Sequence, residues 1–127
     1  MGAIHWAERR AGQALLGVMF VKLGFDAAWQ PGARVEKAAG LKLPLDPKVA
    51  VRGNGAAMVL GGAALVLNKV PRLAALGLIA SMIPTTMAAH SFWELDGADR
   101  KAQEIQFLKN AGIVGGLVLV LTGKGGD

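Results

Sequence analysis

Residues 49–67 read VAVRGNGAAMVLGGAALVL, and this run decides the fold class. Its polar side chains, Arg52 and Asn54, both lie near its start. At 1.5 Å of rise per residue, about 20 apolar residues cross the roughly 30 Å hydrocarbon core of a bilayer. No period of two runs through the segment, and an open strand has no way to satisfy its backbone groups in lipid. The run reads as a membrane-spanning helix.

The same pattern repeats on either side. One apolar run covers residues 11–29, with Lys22 and Asp26 late in it. Another begins at Pro71, a favoured first-turn residue, and continues to about Trp93. A last one covers residues 105–122, with Lys109 and Asn110 near its start. The expectation is a single all-α domain over residues 1–127, an antiparallel four-helix transmembrane bundle. Between the first two runs, Val35, Ala38 and Ala39 fall at helical spacing opposite Arg34 and Lys37. They predict a short helix lying on the membrane surface.

Composition agrees. The 127 residues are 53% hydrophobic and only 18% charged, against roughly 25% charged in an average soluble domain. The absence of cysteine excludes thiol redox chemistry, Fe–S ligation and thiolate zinc sites within the chain. The net charge of +5 is distributed between apolar runs rather than along a basic stripe, which argues for membrane orientation and against nucleic acid. Arg9 and Arg10 precede the first run as in a signal peptide. Lys22 interrupts that run and no small-x-small cleavage pattern follows, so the first helix is expected to be retained.

Orientation follows from the basic residues. Arg9, Arg10, Lys69, Arg72 and Lys124 fall on one side; Arg34, Lys37, Lys42, Lys48, Arg100 and Lys101 fall on the other. The counts nearly balance. The arginines beside the first helix, and the acids gathered on the other side, favour cytoplasmic termini. Trp6, Trp29 and Trp93 stand where an interfacial aromatic belt would place them.

Small residues recur four apart: Gly53, Ala57 and Gly61 in the second run, Gly112 with Gly116 and Ala111 with Gly115 in the last. Such ridges let helices approach closely in lipid, inside one bundle before they form a face for a second copy. Pro84 removes the hydrogen bond to the Ala80 carbonyl and predicts a break or bend. Thr85 and Thr86 stand beside it to satisfy freed groups.

The polar residues within the spans are the candidate functional set. Antiparallel threading puts Lys22, Asp26, Arg52, Asn54, His90, Glu94, Lys109 and Asn110 in one half of the membrane, next to the long first loop. The opposite half reads as almost only Ala, Gly, Val, Leu and Met. Ionisable groups at that depth are expensive and are expected to pair or face a wet cavity. Lys22 with Asp26, and His90 with Glu94, are each four apart. With His90 neutral the set carries one surplus positive charge, which suits an anionic or carbonyl-bearing ligand. Arg52 and Lys109 would hold the oxygen, and His90 with Glu94 or Asp26 would handle a proton. The structural reading of the same residues is that long side chains reach the interface and bond each other to fix the bundle. His5 and His90 fall at opposite faces, so no bis-histidine haem is expected, nor a metal site from His90 and Glu94 alone.

These residues also carry a resemblance. Gly17 and Gly24 followed by Pro31; Arg52, Asn54 and Gly55; Pro71 to Ala74; Pro84-Thr85-Thr86; His90-Ser91-Phe92-Trp93; and Phe107-Leu108-Lys109-Asn110 before Gly115 and Gly116 together resemble the DoxX family of small four-helix membrane proteins. Leu23 stands where many relatives place a serine. The resemblance implies a multi-pass protein of the cytoplasmic membrane. The family takes its name from a subunit associated with quinol and thiosulfate oxidation, and similar folds serve as cargo receptors and assembly factors. Two functions follow as expectations. One is an accessory subunit of a membrane redox system that binds a quinone or small oxyanion in the polar layer. The other is a non-enzymatic chaperone, assembly factor or scaffold for a membrane partner. A transporter is disfavoured, because the chain shows no pair of interrupted repeats.

Overall fold

The computed structural model describes residues 2–32, 34–40, 42, 44–90 and 92–123. Five α-helices follow in order: α1 Gly2–Trp29, α2 Arg34–Ala39, α3 Pro47–Leu67, α4 Pro71–Ala89 and α5 Gly97–Thr122. A 3-10 turn, Phe92–Glu94, joins α4 to α5. Among the described residues, four stretches are long and apolar enough to cross a membrane: Ala3–Trp29, Pro47–Leu67, Pro71–Glu94 and Gly97–Thr122. The all-α fold is as expected, and the short α2 occupies the first loop, packed against α3 and α4.

The helices outrun the apolar segments that announced them. α1 starts at Gly2 rather than residue 11, and α5 at Gly97 rather than residue 105. Hydropathy marks the part of a helix that lies in lipid, whereas backbone bonding continues through charged turns such as Glu8–Arg10 and Asp99–Lys101. α3 begins at Pro47, the Asp46 Oδ1 accepting the Lys48 N–H at 2.8 Å to cap it. α4 is shorter than its apolar run. It ends at Ala89, where His90 leaves helical geometry at φ −128° while its N–H still bonds the Thr86 carbonyl at 2.9 Å.

Glycine sets the α1–α3 contact. A Cβ on Gly24 would sit 2.5 Å from the Gly55 carbonyl oxygen, and one on Gly55 would sit 2.6 Å from that of Gly24. One heptad away the relation repeats: a Cβ on Gly62 would lie 2.6 Å from the Gly17 carbonyl oxygen, and one on Gly17 would strike that of Gly62. The two backbones therefore touch at two levels, seven residues apart on each antiparallel helix. Dispersion acts best at this separation, which no side chain would permit. The small residues expected to pack, Gly53, Ala57 and Gly61, are not this seam. Gly61 faces Leu78 of α4, with Cβ room only to 2.9 Å, and Gly53 has nothing within 4 Å.

Each spanning helix contributes one fully buried large side chain to the core: Phe20, Leu65, Leu78 and Leu117. Ala74, Ala75 and Met82 of α4 fill in around them. α5 is the outlier. Leu117 is its one buried residue, and a Cβ on Gly112 or Gly115 would meet nothing within 4 Å. The Gly112/Gly116 ridge thus makes little contact among the described residues; a Cβ on Gly116 would lie 3.6 Å from Leu16 of α1.

The half of the bundle opposite the long loop holds one buried amide among its apolar residues. Gln13 is 4% exposed there, and its Nε2 donates to Asn68 Oδ1 at 2.9 Å and to the Leu65 carbonyl at 3.4 Å. This ties α1 to the tight α3–α4 turn, where Asn68 and Val70 take left-handed φ of 56° and 40°. Val70 is strained there, as a β-branched residue rarely enters that region. Arg72 Nη2 donates to the Gly123 carbonyl at 2.6 Å and caps the end of α5. Lys124, counted above for orientation, and Ser91 lie outside the described residues.

Pro84 does not break α4, which stays helical through Ala89. The Thr85 hydroxyl donates to the Ser81 carbonyl at 2.8 Å and the Met82 carbonyl at 3.1 Å. These bonds go to the carbonyls beside that of Ala80, the one that Pro84 leaves without its backbone donor.

Candidate functional site

The eight polar residues divide among separate places. Lys22 Nζ meets Asp26 Oδ1 at 3.0 Å on α1, as the four-residue spacing predicts. That pair is peripheral, with side chains 72% and 39% exposed. Arg52 and Lys109 are exposed, and neither has a hydrogen bond or ion pair among the described residues. Arg52 is therefore not directed into the bundle toward Asp26 or Glu94. Glu94 is exposed in the 3-10 turn. The expected stacking of His90 on Glu94 assumed a continuous helix, and α4 stops at Ala89. The imidazole instead places Nδ1 2.6 Å from Gln103 Oε1 of α5.

Asn54 and Asn110 do point inward, each to a hydroxyl on α4. Ser81 Oγ donates to Asn54 Oδ1 at 2.6 Å, and Asn54 Nδ2 approaches Met58 Sδ at 3.6 Å. Asn110 Nδ2 donates to Thr86 Oγ1 at 3.0 Å; Thr86 itself is buried. α4 and its C-cap thus carry a polar ladder, with Ser81 bonded to α3 and Thr86 and His90 both bonded to α5. Ser81, Thr86 and Gln103 are the residues that charge-based reading passes over. A hydroxyl or amide in an apolar run is a fainter signal than an arginine, yet it is what lipid-embedded helices bond through.

Beside this ladder a groove of about 270 Å³ opens between α4 and α5. Met82, Ile83, Met87, Phe107, Ala111 and Val114 form its walls, with Thr86 and Asn110 supplying the polar atoms. Phe107 belongs to an edge-to-face aromatic cluster, 5.4 Å from Phe92 and 5.9 Å from Trp93 between ring centroids. One turn beyond Thr86 and Phe107, His90 and Gln103 extend the same seam toward the membrane interface. The groove is apolar along its length, with one hydrogen-bonded amide in its wall and an oriented imidazole near its end. Such a shape accommodates a flat, membrane-soluble molecule with a polar edge. With Gln103 Oε1 as acceptor, His90 Nδ1 is the donor in this bond.

A family model described as DoxX matches residues 12–91, from the first turns of the membrane-spanning part of α1 through the end of α4. No curated protein and no solved structure matches the chain. The match takes in both glycine levels of the α1–α3 seam, Arg52, Asn54, Pro84 and His90, and it covers well over half of the residues. With four membrane-length helices behind it, the chain is a multi-pass integral membrane protein of the DoxX family.

Proposed function

We infer that the protein is an accessory subunit of a membrane redox system and holds a quinone between α4 and α5. The observation that carries this reading is the groove of about 270 Å³ with the Asn110–Thr86 pair in its wall. Asn110 spends one amide N–H on Thr86, and its second would be the donor to a ring carbonyl of the ligand. Met82, Met87 and Phe107 offer polarisable surface to the ring, and the opening toward lipid suits an isoprenoid tail. His90 Nε2 is the group that would accept a proton from a quinol hydroxyl, with Gln103 holding the imidazole in place. Electrons would pass to a partner protein, since this chain has no cysteine for a cluster. Lys22, Asp26, Arg52, Asn54, Glu94 and Lys109 then surround or brace the bundle and do not contact the ring.

The test is purification in mild detergent followed by mass spectrometry of retained quinones. Wild type is expected to retain quinone, and Ala111→Phe, which fills the groove, to lose it while eluting as folded protein. Absence of quinone from wild type, together with no saturable binding of a short-chain quinone, overturns the reading.

A second reading, a scaffold or assembly factor for another membrane protein, has its own support in α5. That helix buries one residue, and among the described residues nothing would lie within 4 Å of a Cβ on Gly112 or Gly115, a surface on which a partner helix packs well. A stable protein partner retained without small molecule favours it. For either function we place the chain in the cytoplasmic membrane with cytoplasmic termini, on the strength of Arg9 and Arg10 in α1 just before its apolar run.

A further inference from the structure

We propose that Lys48 and Arg52 of α3 bind the headgroup phosphate of an anionic glycerophospholipid at the membrane surface. The two residues are one turn apart, so they share a face of α3. Both are exposed, and neither side chain has a partner among the described residues. Asp46, two residues before Lys48, is engaged in capping α3 through the Lys48 backbone N–H at 2.8 Å.

What lies between and below them on α3 indicates the medium they face. Val49 is 61% exposed and Leu60 74%, with Ala56 exposed between. This strip is lipid-facing, because large apolar side chains on a membrane-spanning helix that are not covered by protein are covered by acyl chains. Arg52 lies five residues from the start of α3 at Pro47, about 7.5 Å along the axis at 1.5 Å per residue. At that depth a lone guanidinium is expensive, and the side chain relieves the cost by rising toward the headgroups. There its planar fork matches two phosphate oxygens, while Lys48, one turn nearer the surface, adds a second positive charge. A zwitterionic headgroup carries its own ammonium and competes for the same phosphate. An anionic one does not, so two unpaired cations select for net negative lipid. The acyl chains then lie along Val49, Ala56 and Leu60. The site is independent of the α4–α5 groove and stands whether or not a quinone binds there.

Native mass spectrometry of the full chain, released from nanodiscs of equal phosphatidylglycerol and phosphatidylcholine, tests it. Wild type is expected to retain phosphatidylglycerol preferentially. Lys48→Gln is expected to lower that preference about fivefold, the attraction of one basic residue near the surface. Arg52→Gln should lower it at least as far, and Arg52→Lys should fall between Arg52→Gln and wild type. Lys101→Gln, an exposed cation on α5, should leave it unchanged. Free inorganic phosphate should not displace the lipid, since the acyl chains contribute to binding. Equal retention of the two lipids by wild type overturns the proposal without any variant, so a misfolded Arg52→Gln does not shield it. It is also overturned if Lys101→Gln matches Lys48→Gln, if inorganic phosphate displaces the lipid, or if a co-purified acidic protein occupies Arg52 instead.

Discussion

Placing one methyl group on Gly55 should loosen the whole bundle. Its Cβ would lie 2.6 Å from the Gly24 carbonyl oxygen and 2.7 Å from the Ala28 nitrogen, where ordinary contact begins at 3.4 Å. Relief therefore requires α1 and α3 to separate by about 0.8 Å along that line, because the obstructing atoms are backbone and no rotamer can turn aside. Overpacking of this kind costs about 1–3 kcal/mol. Rigid atoms on both sides put it in the upper part of that range. Alanine returns up to about 1 kcal/mol through its higher helix propensity. The net expectation for Gly55→Ala is a loss of about 1–2 kcal/mol, a factor of roughly 5–30 in the folded-to-unfolded ratio. Gly112→Ala is the control. Nothing lies within 4 Å of its Cβ, so only the propensity gain remains and stability should hold or rise. Gly24→Ala combined with Gly55→Ala should lose less than the sum, since one separation of the helices relieves both. Reversible unfolding by SDS in mixed micelles, followed by circular dichroism, reads all of these. A Gly55→Ala protein as stable as wild type would refute the backbone-contact account, as would an equal loss in Gly112→Ala.

Leu117 is fully buried and is the residue by which α5 enters the core, so Leu117→Ala should cost about 2–5 kcal/mol in the same titration. Leu119→Ala, at a position 72% exposed, should change little. Ser81→Ala removes the 2.6 Å bond to Asn54 and should cost about 0.6 kcal/mol, with a ceiling near 1.7, as interhelical hydrogen bonds in membranes do; a loss above that would mean Ser81 has a further role. Pro84→Ala should leave the helix content unchanged, because α4 is already continuous through Ala89. A marked gain of helicity in that variant would show that proline interrupts the native helix.

Residues 49–67 and their three counterparts determine the spanning helices by themselves, because lipid leaves an apolar segment no other way to bond its backbone. The family resemblance was legible for the same reason, in short motifs such as Arg52, Asn54 and Gly55. The Lys22–Asp26 pair followed from spacing within one helix. What the tertiary structure decided is everything that depends on how helices rotate about their axes. Small residues four apart marked Gly53 and Gly61 as the seam, but rotation brought Gly55 and Gly62 to Gly24 and Gly17 instead. Glu94 lost its stacking on His90 where α4 ended at Ala89, and Gln103 of α5 came to the imidazole. Arg52 turned outward, while Asn54 turned inward to Ser81. A one-dimensional pattern fixes which residues share a depth in the membrane. It does not fix azimuth, since in lipid no difference in hydrophobicity distinguishes one apolar face from another, and close packing among several small-residue ridges makes the choice.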